Sequence, residues 1–135
     1  MRPELFEAEG RDQRSLVERL ALTLLTLGGD QSVRVLEALA AALVNCAREP
    51  RRDRDSGLRE ATAAGFRHAA PAKPLRDKLQ LCRRIARRAL RGSLADPTLG
   101  ATAFHRLEEN PGWARHLLPV ASFGSFLFYQ VPTSE

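Results

Sequence analysis

Three histidines and two cysteines stand in the chain, His68, His105, His116, Cys46 and Cys82, and no two of them have the spacing of metal ligands. A metal centre is therefore not expected, and nothing in the sequence calls for another cofactor. The cysteines are too few and too far apart for a disulfide scaffold. Reduced thiols packed as small apolar side chains are one expectation, and a single disulfide in an oxidising compartment is the other. His105 stands close to aromatic residues, where a histidine either serves a site through its hydrogen bonds or is simply satisfied by packing. Thr102, Trp113 and Tyr129 pose the same choice. His68 and His116, without partners at ligand spacing, read as surface residues.

Charge supplies the other chemistry. Lys and Arg number 21 against 16 Asp and Glu, giving a net charge of +5 and favouring polyanionic partners. The basic residues crowd between Lys73 and Arg91, where Lys73, Arg76, Lys78, Arg83, Arg84, Arg87, Arg88 and Arg91 are opposed by Asp77 alone. Arg83, Arg84, Arg87 and Arg88 can contact a polyanion, although the same run reads equally as the solvated face of a helix. No stretch reaches the roughly 18 uninterrupted apolar residues of a membrane-spanning helix, so membrane insertion is not expected. The opening Met1-Arg2-Pro3-Glu4-Leu5-Phe6-Glu7 lacks the basic and apolar regions of a secretory signal, which points to the cytoplasm.

These groups need elements to hold them. From Arg14 to Thr26 the leucines Leu16, Leu20, Leu24 and Leu27 recur at helical spacing, and Gly28-Gly29 ends that helix. A second helix, capped by Asp30 or Ser32, runs to about Arg48. Its small stretch Ala38 to Ala42 permits close helix approach and makes it the central element. Pro74 opens a third helix whose apolar positions Leu75, Leu79, Cys82, Ile85, Ala86, Ala89 and Leu90 lead to a stop at Gly92. Residues 48–57 carry no apolar side chain and read as a charged, solvated loop, and Leu58 to Ala72 is either a short helix or irregular. The aromatic run Phe123 to Tyr129 has β-propensity and is expected to pair with a strand near Ala101 to His105. The expectation is an α+β fold, mainly α, in a single domain with a small C-terminal β-sheet or hairpin. A flexible arm at 1–11 and a short tail at 132–135 flank a domain over 12–131.

The order of the motifs carries a more specific signal. The blocks Ala89-Leu90-Arg91-Gly92, Asp96-Pro97-Thr98-Leu99-Gly100-Ala101-Thr102, Pro111-Gly112-Trp113-Ala114 and Phe123-Gly124-Ser125-Phe126-Leu127-Phe128-Tyr129 resemble, in sequence order, the SleB/CwlJ family of bacterial cell-wall hydrolases. Upstream, Leu36 to Asn45 looks like that family's Glu-Ala-Val-Ala-x-Val-x-x-Asn helix. The resemblance spans about residues 16–130 and implies a lysozyme-like, mainly helical domain that cleaves peptidoglycan glycan between its sugars. It also implies one catalytic Glu that protonates the departing oxygen from a partly apolar site.

That acid does not stand where the resemblance puts it. Counting back from Glu37 without a gap brings Leu27 to the position of the catalytic Glu, and leucine has no proton to give. Asp30 is the fallback acid after a short register shift, one methylene shorter than Glu. In the family's Gly-Ala-Thr-His-Tyr-His block only Thr102 and His105 match after Ala101, and Phe126 replaces the usual His of the closing strand. The expected site is thus a substrate groove with Thr102, His105, Trp113 and Tyr129 and no confident catalytic residue. Function is expected as a pseudoenzyme that binds peptidoglycan glycan or a protein partner. An active hydrolase or lytic transglycosylase using a different acid is the alternative, and nucleic-acid binding through the basic helix at 74–91 is a weaker one. A wall-directed role would require export to the periplasm or wall by a route other than a signal peptide.

Overall fold

A computed structural model describes the backbone of residues 3–48 and 76–131, with side chains described for 14–48 and 78–131. Most of the loop expected at 48–57, the segment Leu58 to Ala72 with His68, and the tail at 132–135 lie outside the described residues. Helix α1 spans Pro3–Gly28. It begins well before Arg14, so the part of the expected arm from residue 3 onward has helical backbone. Proline at the first helical position favours that start without any apolar period.

Leu16, Leu20, Leu24 and Leu27 are all buried, and the wider stripe takes in Val17, Ala21 and Leu25. Buried Thr23 satisfies its hydroxyl on the carbonyl of Arg19, at 2.8 Å. The turn that follows is tight for a steric reason. A Cβ on Gly29 would stand 2.6 Å from the Leu25 carbonyl oxygen, and one on Gly28 would meet Leu39 and Leu36 at 3.0 and 3.1 Å. Helix α2, Val33–Ala47, starts at Ser32, whose hydroxyl faces the Val35 amide at 3.4 Å. Asp30 is left exposed. Nearly all of α2 from Val35 to Val44 is buried, as its run of alanines predicts for a central helix.

Helix α3, Arg76–Arg91, buries Cys82, Ile85, Ala86, Ala89 and Leu90 against the other two. Two polar links fix its position. The Arg83 guanidinium donates to both oxygens of Glu18 on α1, at 2.8 and 2.9 Å, and Lys78 Nζ donates to the Gln31 carbonyl at 2.6 Å. Those Arg83 hydrogen bonds hold the Glu18 carboxyl below its ordinary range, against the opposing pull of burial, with the nearby charge of Arg87 adding to the effect. Among the described residues no helix is long and apolar enough to cross a membrane.

The C-terminal part is an antiparallel sheet in the order β1-β3-β2, where β1 is Ala103–Arg106, β2 is Ala121–Phe123 and β3 is Phe126–Tyr129. The expected pairing of β1 with β3 is present, with His105 opposite Leu127. β2, which the sequence did not announce, closes a hairpin onto β3 across Gly124-Ser125. Gly124 has φ 53 and lies so close to α2 that a Cβ would stand 2.8 Å from Val35 Cγ2. Phe126 and Phe128 are fully buried, with Phe104 edge-on to Phe126 at 5.9 Å.

Between α3 and β1 the chain is organised by one carboxylate. Asp96 Oδ1 accepts from the Thr98 amide at 2.8 Å and the Thr98 hydroxyl at 2.6 Å, while Oδ2 accepts from the Gly100 amide and from Asn45 Nδ2, each at 2.9 Å. Asn45, on α2, also donates to the Ala101 carbonyl at 2.9 Å. Burial pushes the Asp96 carboxyl up, but the hydrogen bonds from Thr98, Asn45 and Gly100 outweigh it and leave the group below its ordinary value.

A lowered native pKa stabilises the fold above the unfolded value of about 3.9, and that contribution disappears as pH falls through the native value. Asp96→Asn should therefore cost about 1–2 kcal/mol at neutral pH, a figure kept low because the carboxylate is largely exposed. The difference between variant and parent should shrink as pH falls below about 4. Urea unfolding across that range checks it, and a constant difference at every pH would remove the ionised Asp96 from the account.

Candidate functional site

A groove of about 280 Å³ runs along β1, at the edge of the sheet. Leu27 at the end of α1 and Ala42, Leu43 and Cys46 on α2 form one side. Thr102, Ala103, Phe104, His105 and Arg106 supply the strand side, with Phe126 behind them. Glu109, Pro111 and Trp113, the last in the short 3-10 helix Gly112–Ala114, close the rim. The lining is mostly apolar, with polar groups from Thr102, His105, Arg106 and Glu109 set into it, which is the common make-up of a ligand pocket.

Three of the residues expected in the site therefore meet in one groove: Thr102, His105 and Trp113. Tyr129 stands behind them, buried, with its hydroxyl 2.8 Å from His105 Nε2. His105 Nδ1 lies 2.7 Å from the Arg106 carbonyl oxygen, which can only accept. Nδ1 must then carry the proton, and Nε2 accepts from the Tyr129 hydroxyl. Both ring nitrogens are engaged, so the imidazole is a fixed wall of the groove. Trp113 packs edge-on against His105 and Tyr129, at 5.8 and 5.3 Å between centroids, and remains 44% exposed. That exposure leaves indole surface for a ligand. Thr102 is held in place as well, its hydroxyl accepting from the Val131 amide at 3.2 Å.

Leu27 lines the same groove and is 3% exposed. Arg106 reaches over from β1 to donate to its carbonyl at 3.0 Å, with the guanidinium 5.2 Å from the centre of the Phe126 ring. Asp30, the fallback acid, is exposed in the α1–α2 turn and is not part of the groove lining. Among the described lining residues the one carboxylate is Glu109, which sequence reasoning passed over. Its Oε1 accepts from the Arg106 amide at 2.9 Å, a contact across a turn that nothing in the run Arg106-Leu107-Glu108-Glu109 announces.

The remaining reactive groups are scattered. His116 is exposed. Neither cysteine is in a disulfide. Cys46 faces the groove, and Cys82 sits in the core, where burial pushes its thiol up to about 11 against a weaker opposing pull from Lys78. Among the described residues no group of three or more His, Cys, Asp or Glu is placed to hold a metal ion.

Removing the Tyr129 hydroxyl tests the assignment of His105. Tyr129→Phe should cost about 1–2 kcal/mol, because it leaves Nε2 a buried acceptor without a donor. The nitrogen-15 shifts of the ring should report Nδ1–H in the parent protein. A ring protonated at Nε2 instead would reverse the hydrogen-bond directions given above.

No family model matches the chain, and no curated protein matches it. Among solved structures it is similar to the catalytic domain of the Bacillus cereus SleB protein, with a TM-score of 0.64 over 86% of this chain and 90% of that one. Sequence identity is 16%, so the likeness is one of fold. The chain has a SleB-like fold, mainly α with a small antiparallel sheet.

Proposed function

We propose that the groove along β1 binds a peptidoglycan glycan strand and does not cleave it. The observation that carries this reading is Leu27, an almost fully buried apolar side chain in the groove at the position where the motif order calls for the acid. Glycan cleavage needs a carboxylic acid there to protonate the leaving oxygen. Binding needs only shape, hydrogen-bonding groups and an accessible ring, and Thr102, Arg106 and Trp113 supply these along the groove. A ligand of this kind puts the working protein in the periplasm or the wall. A protein partner in the groove is the competing ligand, and sacculi free of protein separate the two.

Glu109 supports a second reading, in which the chain is an active hydrolase whose acid comes from the rim and not from α1. Its carboxylate lines the groove on the β1 side, the one acidic side chain among the described lining residues.

Purified sacculi decide between the readings. The unmodified protein should bind them saturably and release no soluble disaccharide fragments detectable by mass spectrometry, and Trp113→Ala should weaken binding about tenfold, the scale of one lost stacking contact. Leu27→Glu places a carboxyl among apolar walls that raise its pKa, and fragments released by that variant would locate the missing acid. Fragments released by the unmodified protein and abolished in Glu109→Gln would establish the second reading and overturn the first.

A further inference from the structure

A second concavity lies apart from the groove along β1. It has a volume of about 560 Å³ and lies between α1 and α3, lined by Arg14 and Glu18 from α1 and by Gln80, Arg83, Arg87 and Arg91 from α3. Successive arginines on α3 are four residues apart and so share one face, forming a row about 12 Å long at 1.5 Å rise per residue. Of the four arginines expected to contact a polyanion, Arg83 and Arg87 are in this row. Arg84 and Arg88 are not, and Arg88 approaches Glu37 on α2 instead, at 3.7 Å.

Like charges at this spacing repel along a helix. Glu18 answers Arg83 with two hydrogen bonds, but among the described residues no carboxylate lies within ion-pair distance of Arg87 or Arg91. The helix dipole compensates in part at the C-terminal end of α3. A bound anion would relieve the rest.

We infer that this cleft binds a linear phosphodiester polymer that carries no bases. Guanidinium groups present a planar fork that matches the two free oxygens of a phosphodiester, and a row of them suits a repeated anion. Two helices form the walls, so the surface is a trough for one thin strand and not a convex ridge for the groove of a duplex. Among the described residues no aromatic side chain lines it, so these offer nothing on which the bases of single-stranded nucleic acid would stack. A polyol-phosphate chain needs no such platform. Glu18 is the internal competitor: it occupies Arg83, and its removal frees that guanidinium for the ligand.

Fluorescence anisotropy with a labelled polyglycerol-phosphate oligomer tests the inference, beside oligothymidylate and polyglutamate of matched charge. Affinity for the polyol phosphate should exceed that for both controls and fall with salt. The double variant Arg87→Gln, Arg91→Gln should lose at least about tenfold in affinity and reduce the slope of log affinity against log salt by about one or more. Glu18→Gln should bind several-fold tighter. Circular dichroism of each variant confirms that α3 remains folded. Unchanged binding by the double variant, or no gain in Glu18→Gln, overturns the inference, and tighter binding of oligothymidylate or polyglutamate replaces the ligand class with another. Trp113→Ala should bind the oligomer like the parent, so failure here is distinguishable from failure of the glycan reading.

Discussion

Asp96 and Asn45 together tie the C-terminal end of α2 to the loop that enters β1. One carboxylate gathers the amides of Thr98 and Gly100, the Thr98 hydroxyl and the Asn45 side chain, and Asn45 gives its other hydrogen to the Ala101 carbonyl. The Thr98 hydroxyl in turn accepts from the Ala101 amide at 3.2 Å. A short loop with Leu99 and Gly100 at φ 59 and 85 has no regular ladder to hold it, and a non-glycine residue at such φ carries a cost that its surroundings must offset. The side-chain hydrogen bonds do this. Everything on the strand side of the groove follows from where that loop delivers Thr102.

The residues that carried the motif resemblance can therefore be divided by what they touch. Asn45, Asp96, Thr98 and Gly100 build the link between helix and sheet. Tyr129 and His105 lock one another and the 3-10 helix that presents Trp113. None of these contacts requires a reacting substrate, since each is satisfied inside the protein itself. A fold can then keep its groove intact with leucine at the end of α1, because Leu27 is held by packing and by the Arg106 contact to its carbonyl, and neither depends on a carboxyl side chain. On this account the shape of the groove and an acid within it are separable properties.

Much of the fold was legible in the sequence because its signals are local. The leucines of α1, the alanine run of α2, the Gly-Gly turn and the aromatic strand each follow from spacing or sterics within a few residues. What was not legible rests on contacts between distant segments. β2 is three residues long and only half-buried, so it shows no alternation, and it exists because β3 offers it an edge. The start of α1 was missed because polar helix formers extend a helix without an apolar stripe. At the site, Thr102, His105 and Trp113 were legible through motif order, whereas Glu109 enters the groove only because the chain turns after β1 and brings its carboxylate back to the Arg106 amide. Asp30 was read as a possible acid from its sequence distance to Leu27, yet the sharp turn at Gly28 and Gly29 carries it out to solvent.

Charge is distributed as unevenly as polarity. The groove along β1 carries one cationic and one anionic side chain among its described lining residues, Arg106 and Glu109, in a mainly apolar lining, so it offers a ligand little net field. The described lining of the α1–α3 cleft has four arginines and one carboxylate, Glu18, and the partly exposed Arg83–Glu18 pair adds only modestly to stability. Two surfaces of such different character do not compete for one ligand. An uncharged sugar chain gains from contact with an accessible indole and fixed hydrogen-bonding groups, whereas a polyanion gains from concentrated positive charge even at the rim of its site. If both surfaces engage one wall, each adds to the residence of the other through the raised local concentration of the second ligand, without a new contact in either site. The steep salt dependence would then belong to the arginine row alone, leaving the groove along β1 nearly insensitive to ionic strength.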